Sequence, residues 1–280
     1  MKKIVPLLGL LILGPSVWAA DYGWLQEGHP RKTIASQIPV PVGYERVRVK
    51  TGSFQEWLRL LPLKSKASPV YLYDGRKKHN QDAHYAVVEI DVGPRDIQQC
   101  ADAVIRLRAE YLWDRQRYED IHFNFTSGDT SFYLNWRQGI RPRVQGNRVS
   151  WAQTASPDSG YASFRDYVHT TCIYAGSYSL AQELKKISDP IDLQIGDVFI
   201  RGGFPGHAVL VVDIAVHPET GHKAFLLLQS YMPAQDMHIL QNPGDDFPDS
   251  PWYLLDASGN VLYTPEWSFK WNELKRFYGE

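Results

Sequence analysis

The feature that most constrains the fold of this chain is a nearly unbroken apolar run at residues 207–215. The run reads His-Ala-Val-Leu-Val-Val-Asp-Ile-Ala and is rich in β-branched residues, which favour strands. Successive side chains of a strand point to opposite faces, and both faces of this one are largely apolar. The sequence therefore predicts a central strand that is covered on both sides.

His207 stands at the first position of that strand. The Gly- and Pro-rich segment 202–206 predicts a loop, which joins an earlier strand at 197–200 to His207. A histidine at the open end of a covered strand is partly desolvated yet within reach of a substrate. This environment suits a general base, so His207 is a candidate catalytic residue.

Gln229 is the candidate partner of that imidazole. The next predicted strand, 224–230, runs back after a turn near residues 218–221. If the turn centres near Glu219, His207 pairs with Tyr231, and Gln229 lies diagonally from His207 on the same face. Its amide would then orient the ring, and Tyr231 would serve as a binding residue. A slip of one residue in register would put Gln229 on the other face.

Cys100 is the candidate nucleophile. It lies on an apolar stripe of the most regular helical pattern in the chain, residues 94–118, with Pro94 in the first turn. A helix packed on the sheet would present the thiol to His207, and a helix start near Gln98 would bring Cys100 closer to the positive end of the helix. Two alternatives stay open: a buried core thiol, or a disulfide with Cys172.

The remaining pattern predicts an α+β fold with a mainly antiparallel sheet. Further strands are expected at 44–49, 70–73, 85–90, 238–240 and 252–255, and further helices at 53–61, 161–174, 179–187 and 267–277. No internal repeat and no long linker interrupts the pattern. We therefore expect a single domain at residues 20–280.

Residues 1–19 have the order of a secretory signal peptide. Two lysines precede an apolar run at 4–13, and small residues precede the expected cleavage site after Ala19. An uncleaved N-terminal anchor is the alternative. Cleavage would leave a periplasmic or secreted protein without a transmembrane segment.

Composition and motif spacing exclude several classes of function. Thirty basic against 31 acidic residues give a net charge of −1, so nucleic-acid binding has little support. The chain has no nucleophile elbow, phosphate-binding loop or zinc-binding spacing, and no cofactor or metal is expected. His122 alternates with Asn124 on a predicted strand and is a further candidate binding residue.

Two resemblances follow from these residues. The chain resembles papain-like cell-wall hydrolases of the NlpC and CHAP types in four features. They are the helix with Cys100, the segment Gly-Asp-Val-Phe-Ile at 196–200, the strand Gly-His-Ala-Val-Leu-Val at 206–211, and Gln229. This resemblance implies a papain-like core with Cys100 as nucleophile, His207 as base and Gln229 as orienting residue.

Most of the mature chain also resembles a bacterial family known only as a domain of unknown function. The segments at 100–107, 122–125 and 229–235 carry that likeness, which implies no activity. Together the residues favour an exported cysteine peptidase or amidase that acts on amide bonds of peptidoglycan. The alternative is a non-catalytic envelope or glycan-binding protein with a degenerate papain-like fold. The sequence leaves the oligomeric state open.

Overall fold

The computed structural model of the chain describes residues 22–25, 32–256, 258 and 260–280. The predicted signal peptide at residues 1–19 lies outside them. The α-helices among the described residues are α1 (Ile34–Gln37), α2 (Phe54–Arg59), α3 (Cys100–Asp114), α4 (Tyr133–Arg137), α5 (Tyr161–Tyr174) and α6 (Ser177–Glu183). None of the described helices is long and apolar enough to cross a membrane.

The strands complete an α+β fold with antiparallel pairing, as the sequence predicts. They are β1 (Glu45–Arg46), β2 (His84–Val87), β3 (His122–Asn124), β4 (Thr130–Phe132), β5 (Ile140–Gln145), β6 (Arg148–Gln153), β7 (Lys185–Lys186), β8 (Val198–Arg201), β9 (His207–Val216), β10 (Lys223–Gln229), β11 (His238–Leu240), β12 (Tyr253–Leu254), β13 (Val261–Tyr263), β14 (Ser268–Lys270) and β15 (Leu274–Arg276).

One large antiparallel sheet organises these strands. Its order is β2-β11-β10-β9-β8-β15-β7, with β1 also paired to β9 and β12 to β10. The apolar run forms β9, which is buried at every position up to Ala215 and lies in the middle of the sheet. The prediction of a covered central strand is therefore confirmed. Helices α2 and α3 pack against β9.

The helix that carries Cys100 begins later than the pattern predicts. Residues 94–99 form turns, and α3 starts at Cys100 itself. The Asp102 carboxylate accepts the backbone N–H of Gln99 at 3.0 Å, so an acidic side chain in the first turn caps the helix at this position. Cys100 is thus the first residue of the helix, where the backbone N–H groups have no partners inside the helix.

The predicted helix at 267–277 is wrong. The segment forms β14, a 3₁₀ turn at Trp271–Glu273 and β15, which adds a strand to the central sheet beside β8. Phe269 is buried between half-buried Ser268 and exposed Lys270, which is the alternation of a strand rather than of a helix. This segment brings Trp267 and Phe269 against the His207 ring.

Candidate functional site

A cavity of about 850 Å³ opens where the first turn of α3 meets the start of β9. Cys100 and His207 both line it, together with Tyr231 and Trp267. Its size lies within the range of small-molecule sites in proteins. The structure therefore brings the predicted nucleophile, the predicted base and the predicted binding residue Tyr231 to one concave surface.

Two contacts hold the start of α3 against the end of β10. The Ser230 hydroxyl donates to the carbonyl of Gln98 at 3.0 Å, and the backbone N–H of Ala234 donates to the Asp96 carboxylate at 2.7 Å. Ser230 directly follows Gln229, the last residue of β10. The position of Cys100 is thus tied to the strand that carries the orienting glutamine.

Gln229 contacts the imidazole of His207. Its side-chain oxygen Oε1 lies 2.9 Å from Nε2 of His207. Beyond the bulge between Leu226 and Leu227, the register of β10 against β9 pairs Leu227 with Val211. That register is the one a turn near Glu219 predicts, so Gln229 lies on the expected face.

The direction of this hydrogen bond follows from the other partners of the amide. Nε2 of Gln229 donates to the Glu266 carboxylate at 2.9 Å and faces Nε2 of His238 at 3.3 Å. A carboxylate only accepts, so the amide nitrogen points toward Glu266 and the oxygen toward His207. Nε2 of His207 therefore carries the proton and donates, which leaves Nδ1 as the basic nitrogen.

His238 has the opposite tautomer. Its Nδ1 lies 2.8 Å from the carbonyl of Asp236, so Nδ1 carries the proton and Nε2 accepts from Gln229. Burial, together with the charge of Lys78, lowers the pKa of His238 to about 3. Both amide hydrogens of Gln229 thus have acceptors, and the side chain is fixed in one orientation.

Aromatic rings surround His207. The Tyr231, Trp267 and Phe269 rings lie 4.8, 5.3 and 5.8 Å from the imidazole between centroids. Burial lowers the pKa of His207 to about 4, although the hydrogen bond with Gln229 opposes this shift. The imidazole is consequently neutral at neutral pH.

A buried ion pair stands behind Gln229. Nζ of Lys78 lies 2.5 Å from the Glu266 carboxylate and 5.2 Å from the centroid of the Tyr231 ring. Burial lowers the pKa of Lys78, and the contact with Glu266 opposes this shift. The Glu266 carboxylate of this pair is the charged acceptor of the Gln229 amide.

Cys100 is buried, with 7% of its surface exposed. Burial raises the pKa of its thiol to about 11, and the negative charge of Asp102 adds to this shift. The nearby backbone N–H groups of Ala208, Ala101 and Cys100 itself act in the opposite direction. The resting thiol is therefore neutral, and the sulfur lies next to the backbone N–H that follows His207.

Cys172 is the second thiol at this cavity. It lies in α5 and is free, as is Cys100, so the predicted alternative of a disulfide between them is wrong for this structure. Burial raises the pKa of the Cys172 thiol, and the neighbouring Asp102 carboxylate adds to this shift. Burial also raises the pKa of the Asp102 carboxyl, to about 7.

The approach to His207 depends on two glycines in the loop between β8 and β9. A Cβ atom on Gly206 would lie 2.2 Å from the Ser177 hydroxyl and 2.5 Å from the carbonyl of Gly203. A Cβ atom on Gly202 would lie 2.9 Å from Cβ of Ala181 in α6. These glycines let the loop pass close to α6, which closes one side of the cavity.

His122 lies elsewhere. It is in the β3–β4 hairpin, 3.7 Å from the Glu183 carboxylate, and is not among the residues that line the cavity. Over the part of the chain that the structure describes, no group of three or more His, Cys, Asp or Glu residues has metal-binding geometry.

Sequence reasoning missed Glu266, Lys78, Asp102 and Trp267 as neighbours of the site. Lys78 and Glu266 are 188 residues apart and carry no local motif. The alternation of Trp267, Phe269 and Trp271 was the one available signal, since it indicates a strand at the end of the chain.

Comparison with known proteins gives a family without an activity. The model of a domain of unknown function, DUF4846, matches residues 34–276, which include the cavity residues Cys100 and His207 and the orienting residue Gln229. The chain belongs to the DUF4846 family. No curated protein and no solved structure matches this DUF4846 chain.

Proposed function

We propose that this DUF4846 protein is an exported cysteine hydrolase, a peptidase or amidase that cleaves amide bonds of the cell wall with a papain-like arrangement of residues. The observation that carries the proposal is the orientation of His207. Glu266 and His238 fix the Gln229 amide, the amide fixes the His207 tautomer, and the basic nitrogen belongs to a ring that shares a cavity with Cys100. Base, orienting residue and thiol are the three parts that such chemistry needs.

The reaction starts from a neutral thiol and a neutral imidazole. Because burial raises the pKa of Cys100 and lowers that of His207, proton transfer accompanies attack rather than preceding it. Nδ1 of His207 takes the thiol proton as the sulfur bonds to the carbonyl carbon. The tetrahedral intermediate collapses, the C–N bond breaks, and the leaving amine receives the proton from His207.

Hydrolysis of the thioester completes the cycle. His207 takes a proton from water, the hydroxide oxygen bonds to the carbonyl carbon, and the C–S bond breaks. The sulfur recovers its proton and the acid is released. The backbone N–H groups of Cys100 and Ala101, which have no partners inside α3, are the proposed donors to the oxyanion.

The second candidate is a non-catalytic envelope or glycan-binding protein. The burial of Cys100 favours it, because a thiol with a pKa of about 11 also fits a core residue. The two candidates differ in what happens when Cys100 is replaced. Replacement of Cys100 removes an amide-cleaving activity only if the protein is a hydrolase.

Digestion of purified peptidoglycan tests the proposal. The wild-type protein is expected to release amide-cleavage products, and Cys100→Ala is expected to lower the rate at least a thousandfold, since the nucleophile is absent. Cys172→Ala is the matched control, because Cys172 lines the same cavity without contacting His207 in the proposed reaction. Mass spectrometry of the released fragments measures the rates. Equal product release by wild type and Cys100→Ala would contradict the proposal.

A further inference from the structure

The rim of the cavity carries a concentration of exposed apolar side chains. Twelve large apolar residues among the described residues are more than a third exposed, and four of them line this one cavity. The four are Ile173 at 46%, Tyr178 at 47%, Met232 at 62% and Phe204 at 94% exposure. Contiguous exposed apolar surface of this kind marks a binding site.

These four side chains come from three separate parts of the chain. Ile173 and Tyr178 lie at the junction of α5 and α6, Phe204 is in the loop before β9, and Met232 is in the loop after β10. Three segments that are distant in sequence therefore meet at the mouth of the cavity. Single exposed apolar residues are common on protein surfaces, whereas four at the mouth of one cavity form a cluster.

The charges at the cavity disfavour an acidic substrate. Among the described residues that line it, the acidic side chains are Asp96 and Asp102, and neither Arg nor Lys is present. Lys78 is nearby but is paired with Glu266 behind Gln229. A carboxylate on the substrate would meet no cation here and would face two acidic side chains.

From these observations we infer that the cavity selects substrates with an uncharged apolar group beside the scissile carbonyl and disfavours those with a carboxylate there. The inference rests on the proposed function, since it names the substrate class of the same thiol. Among cell-wall amides it favours bonds next to uncharged side chains. Each methylene that contacts the rim is expected to raise reactivity about threefold, because its burial removes apolar surface from water.

Alkylation of Cys100 tests the inference without requiring hydrolysis. In this reaction the sulfur displaces iodide, an S–C bond forms, the C–I bond breaks and the thiol proton passes to the buffer. The probes are iodoacetamide, N-hexyl iodoacetamide and iodoacetate, with rates measured by peptide mass spectrometry in Cys172→Ala protein. Each rate is divided by the rate of the same probe with a free cysteine peptide.

N-hexyl iodoacetamide is expected to label Cys100 at least tenfold faster than iodoacetate after this normalisation. Phe204→Ser and Met232→Ser are expected to lower the advantage of the hexyl probe over iodoacetamide at least threefold. Ile191→Ser is the matched control, because Ile191 is as exposed as Met232, at 62%, and lies away from the cavity. It is expected to leave the advantage unchanged.

Equal or faster labelling by iodoacetate would overturn the inference, as would failure of all three probes to label Cys100 in folded protein. A parallel assay uses aminocoumarin amides of octanoic acid and of suberic acid, which differ by one terminal carboxylate. Octanoyl hydrolysis at least tenfold faster than suberoyl hydrolysis supports the inference. If Cys100→Ala abolishes hydrolysis of both but the two rates are equal in wild type, the inference fails while the proposed function stands.

Discussion

A polar side chain is buried near each end of β9, and the two side chains differ in how many partners the protein gives them. At one end the Asp213 carboxylate is held by Arg59 at 2.7 Å and Arg46 at 2.6 Å, and it also accepts the backbone N–H of Ile214. At the other end the His207 imidazole makes one hydrogen bond within the described part of the chain, to Gln229, and faces a cavity.

The difference separates a structural cluster from the cluster that we propose to be functional. A buried group whose hydrogen-bonding capacity is filled by the protein has nothing left for a substrate, whereas a buried group with one free nitrogen beside a cavity does. Asp102, close to the His207 end, contrasts with Asp213 in the same way, because no Arg or Lys is paired with it among the described residues.

Replacement of Asp213 is expected to give the largest loss of stability. Asp213→Ala leaves Arg46 and Arg59 without their shared partner in a buried position, which typically costs about 3–5 kcal/mol. Urea unfolding measures this change. The labelling of Cys100 in the folded fraction is expected to stay at the wild-type rate. A loss of unfolding free energy below about 1 kcal/mol would show that Asp213 is not a structural ion-pair partner, so that the contrast with His207 fails.

Replacement of Asp102 is expected to change the pH dependence of stability. Burial raises the pKa of Asp102 from 3.8 to about 7, so between these values the folded state holds a proton that the unfolded state has lost. Stability therefore falls as pH rises across this window, and the cost is complete above pH 7. Asp102→Asn removes the cost and keeps an oxygen that accepts the N–H of Gln99.

The expected gain of Asp102→Asn over wild type at pH 8 is on the order of 2–4 kcal/mol, with a much smaller difference near pH 4. Urea unfolding of both proteins at the two pH values measures it. The lowered pKa of His207 contributes equally to both proteins and cancels in the difference. The same difference at both pH values would contradict the assignment to Asp102.

Replacement of Glu266 is expected to weaken catalysis through Gln229. Glu266→Leu removes the acceptor that fixes the amide, so kcat is expected to fall about 10- to 100-fold as the His207 tautomer loses its definition. Glu266→Gln leaves Lys78 equally without its ion-pair partner but keeps an acceptor for Gln229. Recovery of most of the kcat in this variant would separate orientation from stability. Equal kcat values for the two variants would show that Glu266 acts only as the partner of Lys78.

Much of the fold follows from local pattern. The apolar run of β9, the helix at Tyr161–Tyr174 and the strand at His238–Leu240 have the bounds, or nearly the bounds, that periodicity predicts. The α+β class with antiparallel pairing follows from the short connections between the strands. In these regions the spacing of the apolar residues matches the element that forms, so the sequence pattern alone predicts the secondary structure.

The remaining features depend on contacts that are distant in sequence. The bulge between Leu226 and Leu227 and the side-chain cap of α3 by Asp102 have no periodic signal. The segment 267–277 has spacing compatible with a helix, and pairing with β8 decides in favour of a strand. The placement of Cys100 and His207 at one cavity followed from the sequence, whereas the support by Lys78 and Glu266 did not.

The order of parts along the chain has a consequence for biosynthesis. Cys100 is made first, His207 about a hundred residues later, and Glu266, whose carboxylate holds the Gln229 amide, later still. A growing polypeptide that still lacks Glu266 therefore has the proposed nucleophile without an oriented imidazole. In the proposed enzyme, reactivity would therefore begin only after Glu266 has been made and has folded beside Gln229.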